Sequence, residues 1–263
     1  MRIDPLSKRL LKGAGLIPAS QGRGPVVLMY HSIIPKGKKP LDRWELSVSN
    51  FYSQISLLKS EGWTTACVRD LLEAESLPLR TVVITFDDGY SDNFKNAFRR
   101  LAEYGMRATW FIVSKRVDKQ SWLSSSQLHE MAAAGMEIGA HTRTHVRLPE
   151  LNRSEIEDEV IGSKKELEAM LSLPIKSFAY PYGLFNEESV EAVRKAGFQI
   201  ACTTRTGWFG SAPDILRVRR VAVFSHDSLS SFARKLAFAT SEVSWKQMMR
   251  YTIGRIKSRF LEG

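Results

Sequence analysis

Two adjacent carboxylates, Asp87 and Asp88, directly follow a strongly apolar segment of the chain. Carboxylates placed side by side repel each other and raise one pKa unless a cation intervenes, so such a pair often serves a metal ion or a proton transfer. The alternative is a turn, because Asp-Gly sequences such as Asp88-Gly89 commonly mark turns. The pair alone leaves both interpretations open.

A second candidate pair, His141 and His145, has three residues between its members. This spacing places two imidazoles on one side of a helical turn or tight loop, as metal ligands require. The intervening Glu of the metalloprotease motif is absent, so a general base must come from elsewhere. One carboxylate of the Asp pair can complete a His-His-carboxylate set while the other accepts a proton. We therefore predict a metal site with Asp88 as ligand and Asp87 as base.

The segments that must position these residues alternate between two types. Seven apolar runs predict strands, and apolar residues at helical spacing predict helices between them. For the longest helix we predict Ser154 as N-cap, with Glu157 completing a capping box. The predicted strands are 25–30, 81–86, 108–113, 136–140, 176–180, 199–203 and 219–224; the predicted helices are 47–60, 68–75, 92–104, 125–134, 154–171, 187–196 and 228–238.

This alternation indicates a parallel α/β architecture. No glycine-rich phosphate loop stands at a strand-to-helix turn, which disfavours a nucleotide-binding Rossmann fold. A (β/α)7 barrel fits the seven alternating units better, and in such a barrel chemistry collects at the carboxyl ends of the strands. The polar residues at those predicted ends are His31, Asp87, Asp88, His141, His145, Tyr180, Tyr182 and His226.

Charge is distributed unevenly over the 263 residues, whose net charge is +10. Both ends are basic and the middle is mildly acidic. We predict a basic arm at residues 1–24, one barrel domain at 25–240 and a basic helix or tail at 241–263. Basic ends suit an anionic membrane surface, although solvated faces are an equal alternative. Residues 245–260 could form an amphipathic helix on such a surface or pack on the barrel.

No run of 18 apolar residues occurs, and the N-terminal segment makes a poor secretory signal. The two cysteines, Cys67 and Cys202, lie in apolar surroundings that suggest reduced core thiols. These features predict a cytoplasmic location, with peripheral contact at the inner membrane face as a further expectation. We expect no nucleic-acid partner.

Three motifs together resemble the polysaccharide deacetylases, the NodB-like domain of carbohydrate esterase family 4. They are TFDDG at 85–89, HTRTH at 141–145 and YPYG at 180–183, and the resemblance covers residues 25–226. The segment MYHS at 29–32 resembles the first strand of a subgroup acting in exopolysaccharide and surface-glycan synthesis.

The resemblance implies a distorted barrel that holds a divalent ion, Zn²⁺ in first place with Co²⁺ or Ni²⁺ as alternatives. It implies that activated water attacks an N-acetyl group of an amino sugar. Asp87 matches the base of the family, and Asp88, His141 and His145 match its metal ligands. The backbone N–H of Tyr182 matches a donor to the oxyanion.

Two positions depart from the family pattern. Ala179 stands where an arginine often orients the catalytic Asp, so the group that holds Asp87 is open. Many members take their general acid from a late histidine, and the late histidine here is His226. The sequence around it, with Asp227 and Ser228, equally predicts a helix N-cap.

Substrate contacts are expected from four residues. His31 could bind substrate, act as an alternative acid or be structural, and Trp208 could stack on a sugar or cover the core. The four residues are His31, Tyr180, Pro181 and Trp208.

We therefore predict a metal-dependent N-deacetylase of bacterial surface-polysaccharide or lipopolysaccharide assembly. The expected substrate is an N-acetylated glycan or a lipid-linked sugar. One alternative is a related amide hydrolase of a small molecule, and another is a catalytically silent glycan-binding protein.

Overall fold

The computed structural model describes residues 24–78, 80–210 and 213–242. Apart from residues 24, 241 and 242, the predicted basic arm and tail lie outside the described residues. The predicted amphipathic helix at 245–260 lies outside them as well. The predicted barrel domain is described over nearly its whole length.

One parallel sheet of eight strands forms the centre of the molecule, in the order β10-β1-β5-β6-β7-β8-β9, with β4 also paired to β5. A separate pair, β2 and β3, lies beside it. The strands are β1 Val26–Tyr30, β2 Ser32–Ile34, β3 Glu45–Ser47, β4 Thr64–Ala66, β5 Thr81–Phe86, β6 Thr109–Ile112, β7 Glu137–Ala140, β8 Ser177–Ala179, β9 Ile200–Cys202 and β10 Val221–Ala222.

The sheet curls into a half-barrel surrounded by helices, which confirms the predicted barrel-type α/β fold. All seven predicted strands are present; Thr81–Phe86 has the predicted bounds, and the other six are shorter than predicted. The strands β2, β3 and β4 are absent from the prediction, because their sequences carry no readable strand periodicity.

Within the described part of the chain, six α-helices cover the sheet: α1 Val48–Ser60, α2 Arg99–Glu103, α3 Ser125–Ala133, α4 Arg153–Leu171, α5 Glu187–Lys195 and α6 Leu229–Phe238. The predicted short helix after β4 is a 3₁₀ helix, Val68–Ser76, and a π turn, Phe94–Phe98, precedes α2. The predicted cap of α4 is wrong. Asn152 is the N-cap and shares a capping box with Glu155, because an Asn side chain caps as well as Ser and stands two residues earlier.

Alternation along β5 decides which side chains enter the barrel. Val82, Ile84 and Phe86 pack in the core beneath the helices, whereas Val83 packs in the barrel interior. Successive side chains of a strand point to opposite faces, so Asp87 belongs to the same interior set as Val83. The candidate base therefore leaves the strand facing inward.

Both cysteines are free and buried, as predicted. Burial raises the pKa of Cys67 and of Cys202 to about 12, so both thiols are protonated at neutral pH. Among the described residues, no helix has the length and apolar character needed to cross a bilayer.

Candidate active site

Asp88, His141 and His145 form a compact group of metal-ligating side chains at the carboxyl ends of β5 and β7. One ligand atom from each lies within 4.8 Å of the other two. The Nε2 atom of His145 is 3.0 Å from Oδ1 of Asp88, and Nε2 of His141 is 3.5 Å from the same oxygen. Two ligands about 2.1 Å from a tetrahedral Zn²⁺ are separated by about 3.4 Å. The observed spacing therefore fits one divalent ion.

The ring of His141 is oriented from the side away from this group. Its Nδ1 lies 2.6 Å from the carbonyl oxygen of Ala179, so Nδ1 carries the proton and Nε2 faces Asp88 as an acceptor. Burial lowers the pKa of His141 to about 4, which keeps the ring neutral at neutral pH. A neutral imidazole nitrogen is the form that binds metal ions.

Asp88 supplies a further sign that a cation belongs here. Its Oδ1 atom is buried and has no hydrogen-bond partner. Burial alone would raise the pKa of Asp88, but His145, His141 and His31 hold it well below its usual range. An ionised oxygen facing a neutral imidazole nitrogen places two acceptors opposite each other, an arrangement that a metal ion satisfies.

Asp87 is held by a buried arginine, Arg220. The guanidinium donates from Nη1 to Oδ1 of Asp87 at 2.6 Å and from Nη2 to Oδ2 at 2.8 Å. It also donates to the Thr203 carbonyl at 2.9 Å and to the Thr85 hydroxyl at 3.1 Å. Burial would raise the pKa of Asp87, but Arg220 and His141 keep it below its usual value. Asp87 is therefore ionised and fixed in orientation at neutral pH.

Arg220 holds Asp87 in this protein, where Ala179 replaces the arginine that often does so in the family. Arg220 lies in the predicted strand 219–224 and belongs to none of the motifs in the sequence. The sequence does indicate that Arg220 has an acidic partner, because a charged residue in a buried barrel strand requires a partner of opposite charge. Its partner could not be read from the chain, since 133 residues separate Arg220 from Asp87.

The loop between the two histidines is fixed by Glu159 of α4. One oxygen of Glu159 accepts from the backbone N–H groups of Arg143 and Thr144, each at 2.9 Å, and the other accepts from the Thr144 hydroxyl at 2.7 Å. The loop also holds His145 at a positive φ of 68°. Non-glycine residues adopt this region at a cost, so the contacts of Glu159 stabilise a strained arrangement.

Replacement of Glu159 by Gln is expected to weaken metal binding by about 10- to 100-fold, the usual effect of losing a group that positions metal ligands. The amide presents only one acceptor oxygen to three donors. Zinc affinity measured by competition with a chromophoric chelator checks this. Glu157→Gln is the matched control, because Glu157 lies on the same helix and pairs with Lys195. An affinity within twofold of the original protein would contradict the assigned role.

His31 lies beside the two carboxylates at the end of β1. Burial lowers its pKa, whereas Asp87 and Asp88 act to raise it. Its Nδ1 atom is buried without a hydrogen-bond partner, and its ring packs on Trp44 with a centroid distance of 4.4 Å. Asn93 donates to its backbone carbonyl at 2.9 Å. His31 thus stands in a fixed position with an unused ring nitrogen.

Tyr182 stands on the other side of the metal-ligand group. Its ring is 51% exposed and lies 4.7 Å from the ring of His145. The backbone of Tyr182 has a φ of 60°, and Gly183 follows with a φ of 70°. A Cβ atom on Gly183 would come within 2.0 Å of the Thr204 hydroxyl oxygen, so the turn requires glycine.

Four other residues have predicted site roles. Tyr180 is fully buried and packs with the core beneath the helices, because it leaves β8 on the helix-facing side. Pro181 is buried and directly precedes Tyr182 in the chain. Trp208 lines a separate cavity of about 880 Å³ whose described lining includes Phe185 but none of the metal-ligand residues. The fourth residue is His226.

His226 is exposed and stacks on Phe224 with a centroid distance of 5.6 Å. It precedes the N-terminus of α6, where Ser228 is the N-cap. Asp227 accepts hydrogen bonds from the Phe224 N–H and from Lys235. This position matches the capping-turn interpretation of His226 rather than a place among the carboxylates.

Comparison with known proteins agrees with this fold and site. The family model described as Polysaccharide deacetylase matches residues 74–201. YxkH of Bacillus subtilis (strain 168), a protein named for the polysaccharide deacetylases, is 32% identical over 210 residues, which are 78% of this chain and 74% of YxkH. This chain belongs to the polysaccharide deacetylase family.

Further relatives include a poly-β-1,6-N-acetyl-D-glucosamine N-deacetylase of Staphylococcus epidermidis, 28% identical over 76% of this chain and 74% of that protein. A polysaccharide deacetylase structure from Bacillus cereus is 30% identical, has a TM-score of 0.74 and is matched over 81% of this chain and 69% of its own. IcaB from Ammonifex degensii is 27% identical, with a TM-score of 0.71 over 82% of this chain and 98% of its own.

Proposed function

We propose that this protein is a metal-dependent hydrolase that removes N-acetyl groups from amino sugars of a polysaccharide or glycan precursor, within bacterial surface-polysaccharide biosynthesis. One observation carries the proposal. An ionised carboxylate, Asp87, is fixed by Arg220 directly beside the Asp88, His141 and His145 group. A base next to a metal-ligand set is the arrangement that amide hydrolysis by activated water requires.

Asp88, His141 and His145 would hold the ion, which we propose to be Zn²⁺, with Co²⁺ or Ni²⁺ as alternatives. When bound, a divalent ion supplies Lewis-acid activation of water and of the amide carbonyl. The carboxylate of Asp87 would accept the proton of the attacking water. Arg220 keeps both oxygens of that carboxylate in place through its paired donors. The backbone N–H of Tyr182 would donate to the carbonyl oxygen of the acetyl group, where the negative charge develops.

We assign the general acid to His31 rather than to His226. Burial lowers the pKa of His31, while both carboxylates act in the opposite direction, and its buried Nδ1 has no partner. The ring would therefore take up a proton during the reaction and pass it to the departing sugar amine. His226 is exposed and stacks on Phe224.

The variants His31→Gln and His226→Gln separate these assignments. We expect His31→Gln to lower kcat by about 10²- to 10⁴-fold, because protonation of the leaving amine is lost, and His226→Gln to change it less than threefold. Steady-state acetate release by both variants, each loaded with one equivalent of Zn²⁺, measures this. The reverse pattern would return the role to His226.

Two alternative functions are addressed by the same site. A catalytically silent glycan-binding protein needs no cation to hold Asp87, whereas Arg220 provides one in this protein. Hydrolysis of a small cyclic or linear amide would use the same residues. The staphylococcal relatives are named for poly-β-1,6-N-acetyl-D-glucosamine, so oligomers of this glycan are the first substrates to test.

Acetate release should be measured from β-1,6- and β-1,4-linked N-acetylglucosamine oligomers and from a lipid-linked N-acetylglucosamine, with Zn²⁺ or Co²⁺ present. Release from at least one of them supports the proposal. If the metal is bound and no N-acetylated glycan yields acetate, the glycan-binding alternative replaces it. Release only from small non-glycan amides would favour the amide-hydrolase alternative.

A further inference from the structure

Three arginines surround the candidate active site, and each is stacked on an aromatic ring. Arg43 lies over Phe224, with 3.8 Å from its Cζ atom to the ring centroid, and is 5.2 Å from the Trp44 ring. Arg116 lies 4.3 Å above Trp122, and Arg147 lies 4.9 Å from Tyr182. We call Arg43, Arg116 and Arg147 the arginine collar.

Each aromatic partner in turn borders a residue of the site. Trp44 packs on His31 at 4.4 Å, and Tyr182 lies 4.7 Å from His145. The third contact runs through Tyr90, which stacks on Trp122 at 4.8 Å. The collar is therefore one or two rings away from His31, Asp88 and His145.

Tyr90 follows Asp88 by two residues in the chain, so its stacked pair with Trp122 lies next to the metal-ligand group. The backbone fixes the pair, because Tyr90 and Trp122 form an antiparallel bridge and the Leu123 N–H donates to the Gly89 carbonyl at 2.9 Å. Trp122 thus presents a ring of fixed position beside the metal-ligand group.

The collar differs in its ion pairing from three other arginines, each of which holds a carboxylate closely. Arg99, Arg100 and Arg107 each have a carboxylate oxygen within 3.0 Å. Among the described residues Arg43 is 3.8 Å from Glu242 and Arg147 is 3.9 Å from Glu150, with every one of these side chains at least half exposed.

For Arg116, no carboxylate lies within ion-pair distance among the residues that the structure describes. Asp42, the acidic neighbour of Arg43, accepts a hydrogen bond from the Trp44 N–H at 2.6 Å. The charge of the collar is therefore weakly neutralised by the protein itself.

Stacking restricts a guanidinium without using its edge. An arginine whose face lies on an aromatic ring keeps its N–H donors in one plane, where they match the oxygens of a carboxylate or phosphate. Aromatic rings with exposed surface beside such an arginine can bind the apolar face of a sugar. Tyr182 is exposed and Trp44 and Trp122 are partly exposed, whereas Phe224 is buried. The collar with Tyr182, Trp44 and Trp122 thus combines surfaces for a sugar ring with donors for an anion.

We propose that the substrate carries an anionic group near the N-acetyl sugar, and that the arginine collar binds this group. The proposal rests on the deacetylase function proposed above. A carboxylate of an acidic sugar and the diphosphate of a lipid-linked sugar share the required chemistry. The collar would select either of them over a neutral glycan by attraction and by paired hydrogen bonds.

Binding is tested on the Asp87→Asn variant loaded with Zn²⁺, so that turnover does not interfere. The probes are a neutral β-1,6-linked N-acetylglucosamine tetramer, an alternating N-acetylglucosamine–glucuronate tetramer and N-acetylglucosamine diphosphate carrying a short isoprenyl chain. At ~20 mM NaCl we expect at least one anionic probe to bind tenfold or more tightly than the neutral tetramer. The gain should vanish at ~300 mM NaCl, where the screening length is roughly 6 Å.

The combined variant Arg43→Met, Arg116→Met, Arg147→Met should reduce the anionic gain to less than threefold. Arg99→Met with Arg100→Met is the matched control, since both arginines stack on aromatic rings but have carboxylate partners. The control variant should still bind the anionic probe tenfold or more tightly than the neutral tetramer. The anionic probe that binds more tightly than the neutral tetramer shows whether the charge of the substrate comes from an acidic sugar or from a diphosphate.

Equal affinity for neutral and anionic probes overturns the proposal, as does a collar variant that keeps the gain. Should Asp87→Asn fold poorly, the salt dependence of kcat/KM in the unmodified protein gives the same comparison. The outcome is separate from that of the proposed function. Absence of acetate release from every substrate would reject the deacetylase, whereas the binding preference measures the collar alone.

Discussion

The Asp87→Asn variant is expected to lose about 10²- to 10⁴-fold in kcat while still binding close to one equivalent of metal. An amide cannot accept a proton from water at neutral pH. The metal-ligand group, Asp88, His141 and His145, contains no atom of Asp87. Activity and metal binding should therefore separate in this variant, which distinguishes a base from a ligand.

Acetate release and metal content should be measured on the same preparation, the latter by atomic emission. Asp70→Asn is the matched control, because Asp70 pairs with Arg107 away from the site. It should keep both activity and metal. Loss of the metal from Asp87→Asn would make Asp87 a ligand, and retained activity would remove it from the reaction.

The Arg220→Met variant should show the largest loss of stability of any substitution considered, about 3–5 kcal/mol in the free energy of unfolding. Arg220 has no exposed surface and Asp87 is 3% exposed, so removing the cation leaves a buried charge without its partner. The orientation of the Asp87 carboxylate is lost at the same time. We expect kcat to fall at temperatures where the variant is still folded.

Two further variants distinguish the effect of Arg220 on the orientation of Asp87 from its effect on the stability of the protein. Arg220→Lys keeps a charge but cannot bond both oxygens of Asp87, so it should regain part of the stability and little of kcat. Arg217→Met is the surface control; Arg217 pairs with Asp214 and Glu187, and its loss should cost at most about 1 kcal/mol. Urea unfolding followed by circular dichroism measures all three. An Arg220→Met protein as stable as the Arg217→Met control would contradict the buried ion pair.

The sequence predicted the sheet well because its main strands are continuous apolar runs. Thr81–Phe86 is such a strand, and its end places Asp87 and Asp88 where the structure has them. Three short strands escaped prediction; one of them, Thr64–Ala66, takes its position from pairing with Thr81–Phe86. The cap of the longest helix was misplaced by two residues because Asn152 and Ser154 are both good caps.

For the site, two local pairs at the ends of predicted strands could be combined into one ligand set, whereas the residues that hold them in place could not be identified from the sequence. The His141 and His145 spacing is local and predicts a shared ligand set. The residues that hold the site in place are distant in sequence from the residues they bond. Glu159 accepts a hydrogen bond from the backbone of Arg143, and Arg220 donates to Asp87 in the barrel interior. The alternation of side chains along β8 also explains why Tyr180 packs beneath the helices and not in the site.

A metal titration of the chelator-stripped protein tests the central claim most directly. Acetate release from the best N-acetylglucosamine substrate should be absent without metal, rise linearly with added Zn²⁺ and level off at one equivalent. The Asp88→Ala variant should bind no ion at these concentrations and remain inactive, because it lacks one of the three ligands. Release that is unchanged by metal removal, or absent when one equivalent is bound, would contradict a metal-dependent deacetylase built on Asp88, His141 and His145.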